Sequence, residues 1–242
     1  MRTLVVGDIH GGLRALQQVL ERMELRSNDR FIFVGDYVDG WSENAETIAF
    51  LMDFSESYEC IFIRGNHDEL LYTYLKEKNN NPMWLNHGGL SSQKSYAKLS
   101  EAEIEKHITF LEHLRNYYVD SDNRLYVHAG FTNLHGPEHE YFPNTVYWDR
   151  TLWETACALD PNISKDDPTY PKRFTLFHEI FIGHTPTTRI GKDKPANFAN
   201  VWNTDTGAAF KGPLSIIDAD TKKVWQSDPV YTLYPEEDGR NA

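Results

Sequence analysis

Cys60-Ile61-Phe62-Ile63-Arg64-Gly65-Asn66-His67-Asp68 is an apolar run that stops at a glycine, an amide and an imidazole. The apolar part reads as a buried strand, and the residues from about Glu69 to Lys78 read as a helix. Gly65 lets the backbone approach something closely or take a positive φ. Asn66 offers a neutral oxygen, and His67 a group that can carry a proton near pH 7. Alone, such a run is often only a turn. It gains weight because four other strand ends look like it.

Upstream, Thr3-Leu4-Val5-Val6 ends in Gly7-Asp8-Ile9-His10-Gly11, and Phe31-Ile32-Phe33-Val34 ends in Gly35-Asp36-Tyr37-Val38-Asp39-Gly40. Between them Leu13, Leu16, Val19, Leu20 and Met23 recur at helical spacing. Ser42 is placed to cap a helix carrying Ile48, Leu51 and Met52. Strands alternating with helices in this way predict βαβ units and a largely parallel α/β sheet. Downstream the middle of the chain reads as helical over Met83 to Leu99 and Glu101 to Arg115, with Ser100 and Glu103 in capping-box spacing. Strands then return: Tyr117 to Val119, Leu125 to Val127 ending in His128-Ala129-Gly130, and Ile180 to Ile182 ending in Gly183-His184. Further strands are expected near Val201 to Asn203, Leu214 to Ile217 and Lys223 to Trp225. Residues 132–144 and 160–172 read as long loops, a kind that is often functional.

The chain has 242 residues and a net charge of −12, with 24 basic and 36 acidic residues. No domain boundary is visible, so a single domain over 1–242 is expected, its core at roughly 3–227 and an acidic, frayed tail at 235–242. An acidic surface repels phosphate backbones, which argues against binding a nucleic-acid polymer. No apolar run reaches the roughly 18 residues of a membrane span. Cys60 and Cys157 are too few for a disulfide framework, Cys60 reads as a buried hydrophobe, and the N-terminus enters a strand at once. A cytoplasmic setting is therefore expected.

The five strand ends share a chemistry. Asp8 and His10, Asp36, Asn66, His128 and His184 each stand beside or near a glycine at the end of an apolar strand. Ligands of open α/β sheets sit beyond such carboxyl ends. Two carboxylates, three imidazoles and an amide form a nitrogen–oxygen shell without thiolate, suited to Mn, Fe or Zn. Their number suits two divalent ions if one carboxylate bridges, a device used for phosphate ester hydrolysis. His178-Glu179 lacks a second histidine four residues on, so it is not a zinc-protease helix. His87, His107, His113, His135 and His139 have no strand-end context and read as solvated or core side chains.

Taken in order, these motifs resemble those of the calcineurin-like metallophosphoesterases, and more narrowly the bacterial and phage serine/threonine phosphatases. Trp84 to Tyr96 and Asn203-Thr204-Asp205-Thr206-Gly207-Ala208 also look like that branch. The resemblance covers roughly residues 3–218. It implies a four-layer αββα sandwich with two mixed sheets. It implies that Asp8, His10 and Asp36 hold one ion and that Asp36, Asn66, His128 and His184 hold the other, Mn being the first expectation. It further implies hydroxide held between the ions as attacking group, His67 as general acid and Asp39 as its orienting carboxylate. The substrate implied is a phosphorylated protein or small phosphoester. A symmetric dinucleoside tetraphosphate is the alternative, and an inactive scaffold of the same fold a distant one. One departure matters: the family's usual phosphate-clamping arginine after Val-Asp is Gly40 here. Arg64 or Arg150 is expected to compensate, and Gly40→Arg to tighten binding of phosphate monoesters. Asp68 also stands where eukaryotic members have Glu.

Overall fold

Alternate side chains of each strand go to opposite faces of a sheet, and this alternation builds the layers. The computed structural model describes residues 1–240. The chain enters at β1 (Thr3–Val6), turns through α1 (Leu13–Glu21) to β2 (Arg30–Phe33), and through α2 (Asn44–Ser57) to β3 (Glu59–Phe62). A helical block follows: α3 (Asn66–Glu77), α4 (Pro82–Trp84), α5 (Leu90–Tyr96) and α6 (Glu101–Glu112). A second sheet opens with β4 (Tyr117–Val119) and β5 (Arg124–Val127). After α7 (Thr151–Ala158) it continues with β6 (Glu179–Ile182), β7 (Ala196–Phe198) and β8 (Val201–Asn203). β9 (Pro213–Asp218) and β10 (Val224–Pro229) rejoin the first sheet, and α8 (Val230–Leu233) follows.

Both sheets are mixed. The first runs β10-β9-β1-β2-β3, with β1, β2 and β3 parallel and β9 and β10 antiparallel. The second runs β4-β5-β6-β8-β7, with β5, β6 and β8 parallel between antiparallel edges. Leu4, Val6, Phe31 and Phe33 point to the helices, where they meet Leu16, Ile48 and Leu71. Their neighbours Val5, Ile32 and Val34 point the other way and meet Tyr126 and Phe181 of the second sheet. Leu125, Val127, Ile180 and Ile182 face outward onto Phe131, Leu152 and Trp153. The result is the expected four-layer sandwich, with both sets of parallel strands ending at one rim.

Several local expectations are corrected. β3 is an edge strand, and Cys60 in it is only half-buried. α3 begins at Asn66, so Asn66 and His67 belong to its first turn rather than to a preceding loop. Ser42 does not cap α2; Glu43 holds that position, and the Ser42 hydroxyl donates to Glu237 Oε1 at 2.6 Å. The helix expected over Met83 to Leu99 is broken at Gly88, where φ is +106°. β7 and α8 carried no recognised sequence signal. The tail expected to fray is docked as far as the description reaches. Within it Glu237 Oε2 accepts from the Ser42 N–H at 2.9 Å and the Arg240 N–H donates to the Ala209 carbonyl at 2.9 Å, and just before it Tyr234 is fully buried and stacks on Trp41 at 5.2 Å. Residues 241–242 of that tail lie outside the described residues. The Ser100–Glu103 capping box of α6 is present in both directions.

Candidate metal centre

Five strand ends deliver the side chains. Asp8 and His10 follow β1, Asp36 and Asp39 follow β2, and Asn66 and His67 open α3 beyond β3. His128 follows β5 and His184 follows β6. His10, Asp36, Asp39 and His184 take positive φ values of 54°, 54°, 70° and 69°. L-residues rarely hold that conformation, and it persists where the surroundings over-determine it, typically at functional sites. Gly65 has φ −94°, so its role is close approach and not a left-handed turn. A methyl group there would overlap Asp36 Oδ1, and one at Gly183 would overlap Asp8 Oδ1.

The ligand atoms of Asp8, His10 and Asp36 lie within 4.8 Å of one another, as do those of Asp36, His128 and His184, and all are buried. Asp36 is common to both groups. Its Oδ2 lies 3.6 Å from His10 Nε2 and 3.4 Å from His128 Nε2. Asn66 Oδ1 joins the second group, 2.9 Å from His184 Nδ1 and 3.2 Å from His128 Nε2. All six expected ligand residues thus meet in one place. The imidazoles are held from behind: His10 Nδ1 donates to the carbonyls of Val38 and Asp39 at 3.0 and 2.9 Å, and His128 Nδ1 to that of Val34 at 2.8 Å. Each bond turns the Nε2 edge of its ring toward the centre, the arrangement by which outer partners orient metal-binding histidines.

The electrostatics fit a cation. Asp8 Oδ1 is buried without a hydrogen-bond partner, an acceptor with nothing to accept. Burial, then the Asp205 charge, pushes the Asp8 carboxyl well above its usual range. Burial holds His10 down to about 3, so its ring is neutral as a ligand must be. Asp36 is held well below the usual carboxylate range: burial opposes its charge, but His128 and then His67 outweigh that. His128 is pushed up to about 10 because the Asp36 charge overrides burial, so a proton takes the place a cation would fill. Mixed N/O donors, a shared carboxylate and an orphaned oxygen together match a pair of divalent ions.

His67 sits beside this centre, its ring 5.2 Å from that of His10. Its Nδ1 lies 2.8 Å from Asp39 Oδ2. Sequence reasoning missed what else holds Asp39. Trp84 Nε1 donates to Asp39 Oδ2 at 2.5 Å and Ser92 Oγ to Oδ1 at 2.5 Å, both from the broken helical segment. Nor was Asp68 given a role. It is fully buried and accepts N–H bonds from Asp36, Tyr37 and Gly65, each at 2.8 Å, clasping the Asp36 loop to the start of α3. Its bond back to the Gly65 N–H is the returning half of a capping box, and Gly65 has no side chain to supply the other half.

The two arginines part ways. Arg64 bonds Glu69 and the carbonyls of Leu111 and Glu112, so its fork is committed to α3 and α6. Arg150 lies at the site, with its Nε 3.3 Å from His184 Nε2. Gly40 cannot simply receive an arginine: a Cβ there would stand 2.8 Å from the His10 carbonyl oxygen. The expected gain in phosphate binding from Gly40→Arg is therefore replaced by a push on the loop that carries His10.

Two buried ligand groups sharing one carboxylate, at the rim of a double-sheet sandwich, define a binuclear metallohydrolase. The chain belongs to the calcineurin-like phosphoesterase family, whose profile matches residues 1–208. It is 26% identical over 234 residues to bis(5′-nucleosyl)-tetraphosphatase PrpE (asymmetrical) of Bacillus thuringiensis strain Al Hakam, covering 90% of each chain. It is 26% identical over 215 residues to serine/threonine-protein phosphatase 2 of Salmonella typhimurium strain LT2, covering 87% of this chain and 89% of that one. The solved metallophosphoesterase of Sphaerobacter thermophilus shares the fold with a TM-score of 0.55 at 18% identity, over 94% of this chain and 87% of that one. The protein is thus a phosphoesterase of the hydrolase class. No helix among the described residues is long and apolar enough to cross a membrane.

Proposed function

We propose that the whole chain acts as one metallophosphoesterase domain that hydrolyses phosphate monoesters of protein side chains, phosphoserine and phosphothreonine first. The reading is carried by the His67–Asp39 pair beside two ligand groups that share Asp36. Asp8, His10 and Asp36 would hold one divalent ion, and Asp36, Asn66, His128 and His184 the other, with Mn the first choice among Mn, Fe and Zn, all of which the donor set suits. Bound there, such ions polarise phosphoryl oxygens and acidify water. The protein's own groups do the rest. Asp39 fixes the Nδ1–H tautomer of His67, and His67 delivers a proton from Nε2 to the departing oxygen. Trp84 and Ser92 hold Asp39 in register for that task. Arg150 is placed to meet a phosphoryl oxygen. A reducing cytoplasm is supported by the two free cysteines.

Charge favours the monoester. Two divalent ions against Asp8 and Asp36 leave about +2, which matches a phosphate dianion. A tetraphosphate carries about twice that charge, and Arg64 is committed elsewhere. The second reading, a dinucleoside tetraphosphatase, rests on the PrpE relatives, which are named asymmetrical where the sequence pointed to a symmetric enzyme. Turnover of a serine phosphopeptide and of diadenosine tetraphosphate by the Mn-loaded protein separates the two. We expect about a tenfold higher kcat/KM for the peptide, and Asp36→Asn to abolish it with loss of bound metal. A tenfold preference for the dinucleotide would reverse the ranking.

A further inference from the structure

The loop after β2 carries Gly40 where an arginine was expected, and the next residue, Trp41, is fully buried. The chain end settles on Trp41 and its neighbour. Tyr234 stacks on the indole at 5.2 Å, and Glu237 accepts from the Ser42 N–H and hydroxyl. Gly239 takes a φ of +59°, and a methyl group there would stand 2.7 Å from Trp41 Cζ2, so only glycine fits both the conformation and the approach. The Trp41 indole N–H donates to the Ala208 carbonyl at 2.8 Å, and the Arg240 N–H donates to the next carbonyl, that of Ala209, at 2.9 Å. The loop that lacks the arginine is thus the seat from which the tail delivers one.

Arg240 is half-buried, with its guanidinium carbon 5.4 Å from the centre of the Phe210 ring. A ring at that distance steadies a guanidinium without consuming its N–H groups. Among the described residues that guanidinium makes no ion pair, whereas the fork of Arg64 is taken up by Glu69 and two carbonyls. The Arg240 charge is felt at the first ligand group: burial and then Arg240 hold His10 down, against the pull of Asp36. It is felt at Asp205 too, where burial raises the carboxyl and Arg240 is among the groups that lower it. Arg150 borders the second ligand group, 3.3 Å from His184. One unpaired cation therefore stands at each group. A phosphoryl group held across both groups presents oxygens to either side, and the planar fork of an arginine matches such oxygens in pairs. We infer that Arg240, carried in by the C-terminal tail, is a phosphate clamp of this protein and works opposite Arg150 in place of the arginine absent at Gly40. The inference rests on the reading of the two ligand groups as the seat of a phosphoryl group.

Binding of inorganic phosphate tests the clamp without turnover. By calorimetry on the Mn-loaded protein, Arg240→Met should weaken phosphate binding about tenfold, because methionine keeps a contact with Phe210 and loses the charge. Arg240→Lys should weaken it only about threefold, since the charge returns without the fork. Bound Mn and the melting temperature should stay as they are in both variants. The KM for a serine phosphopeptide should rise about tenfold in the methionine variant. Unchanged phosphate affinity in Arg240→Met would overturn the clamp. So would equal losses in both variants together with a lower melting temperature, which would make Arg240 a support of the tail alone. Weakened phosphate binding with Mn retained, in a protein whose unaltered form turns over no phosphoester, would uphold the clamp and overturn only the hydrolytic reading.

Discussion

Asp39 shows how one carboxylate is placed. It is fully buried, its φ is +70°, and it accepts from an imidazole, an indole and a hydroxyl. The sequence disclosed its neighbour His67, because an imidazole after a strand-ending glycine is a local pattern. It did not disclose Trp84 or Ser92, since nothing local marks a partner 45 or 53 residues away. Likewise no sequence rule names Asp36 or His184 as left-handed; only the packing around them shows it. The acid role of His67 can be checked at this scale. His67→Gln should lower kcat on a serine phosphopeptide by about 10²–10⁴-fold, yet cost far less on nitrophenyl phosphate, whose leaving group departs without a proton. Equal losses on both esters would remove His67 from that role.

Among the elements, the segment from α4 to α5 is the one whose reading changed most. Its composition predicts continuous helix, and it is helical at both ends. The interruption at Gly88 is imposed from outside: a Cβ there would stand 2.9 Å from the Asp39 carbonyl carbon, so only glycine lets the segment approach the Asp39 loop. That approach is what brings Trp84 and Ser92 onto the Asp39 carboxylate. Gly88→Ala combines a steric overlap with a strained φ. We expect it to lower kcat by about tenfold or more while far-UV circular dichroism and metal content stay as they are. Loss of bound metal together with activity would show that the segment supports the ligand loops and not the acid. By contrast the capping box at Ser100 and Glu103 was fully readable, because both its donors and acceptors lie within one turn.

At the scale of the whole molecule, the chain end is the clearest surprise. Its acidity and length predict a frayed tail, but Glu237 accepts from the Ser42 N–H and hydroxyl, and Gly239 lies against the Trp41 ring. The tail therefore covers the loop between the Asp36 motif and α2. Removing residues 235–242 should lower the melting temperature by about 3–8 °C, read by calorimetry, since the part-buried Glu237 bonds to Ser42 and the Arg240 bond to Ala209 go with it. An unchanged melting temperature would mean that the contacts contribute nothing. Hydrophobic alternation and strand-end glycines sufficed to read the α/β class, the helix faces and the six side chains that meet at the rim, because each is a pattern over a few neighbouring positions. The back-to-back sheets and the sharing of Asp36 followed only from the resemblance of the motifs as a set; the triple grip on Asp39, the diversion of Arg64 and the docking of the tail were settled only in three dimensions. Each depends on contacts between segments far apart in the chain, and such contacts leave no local trace in the order of residues.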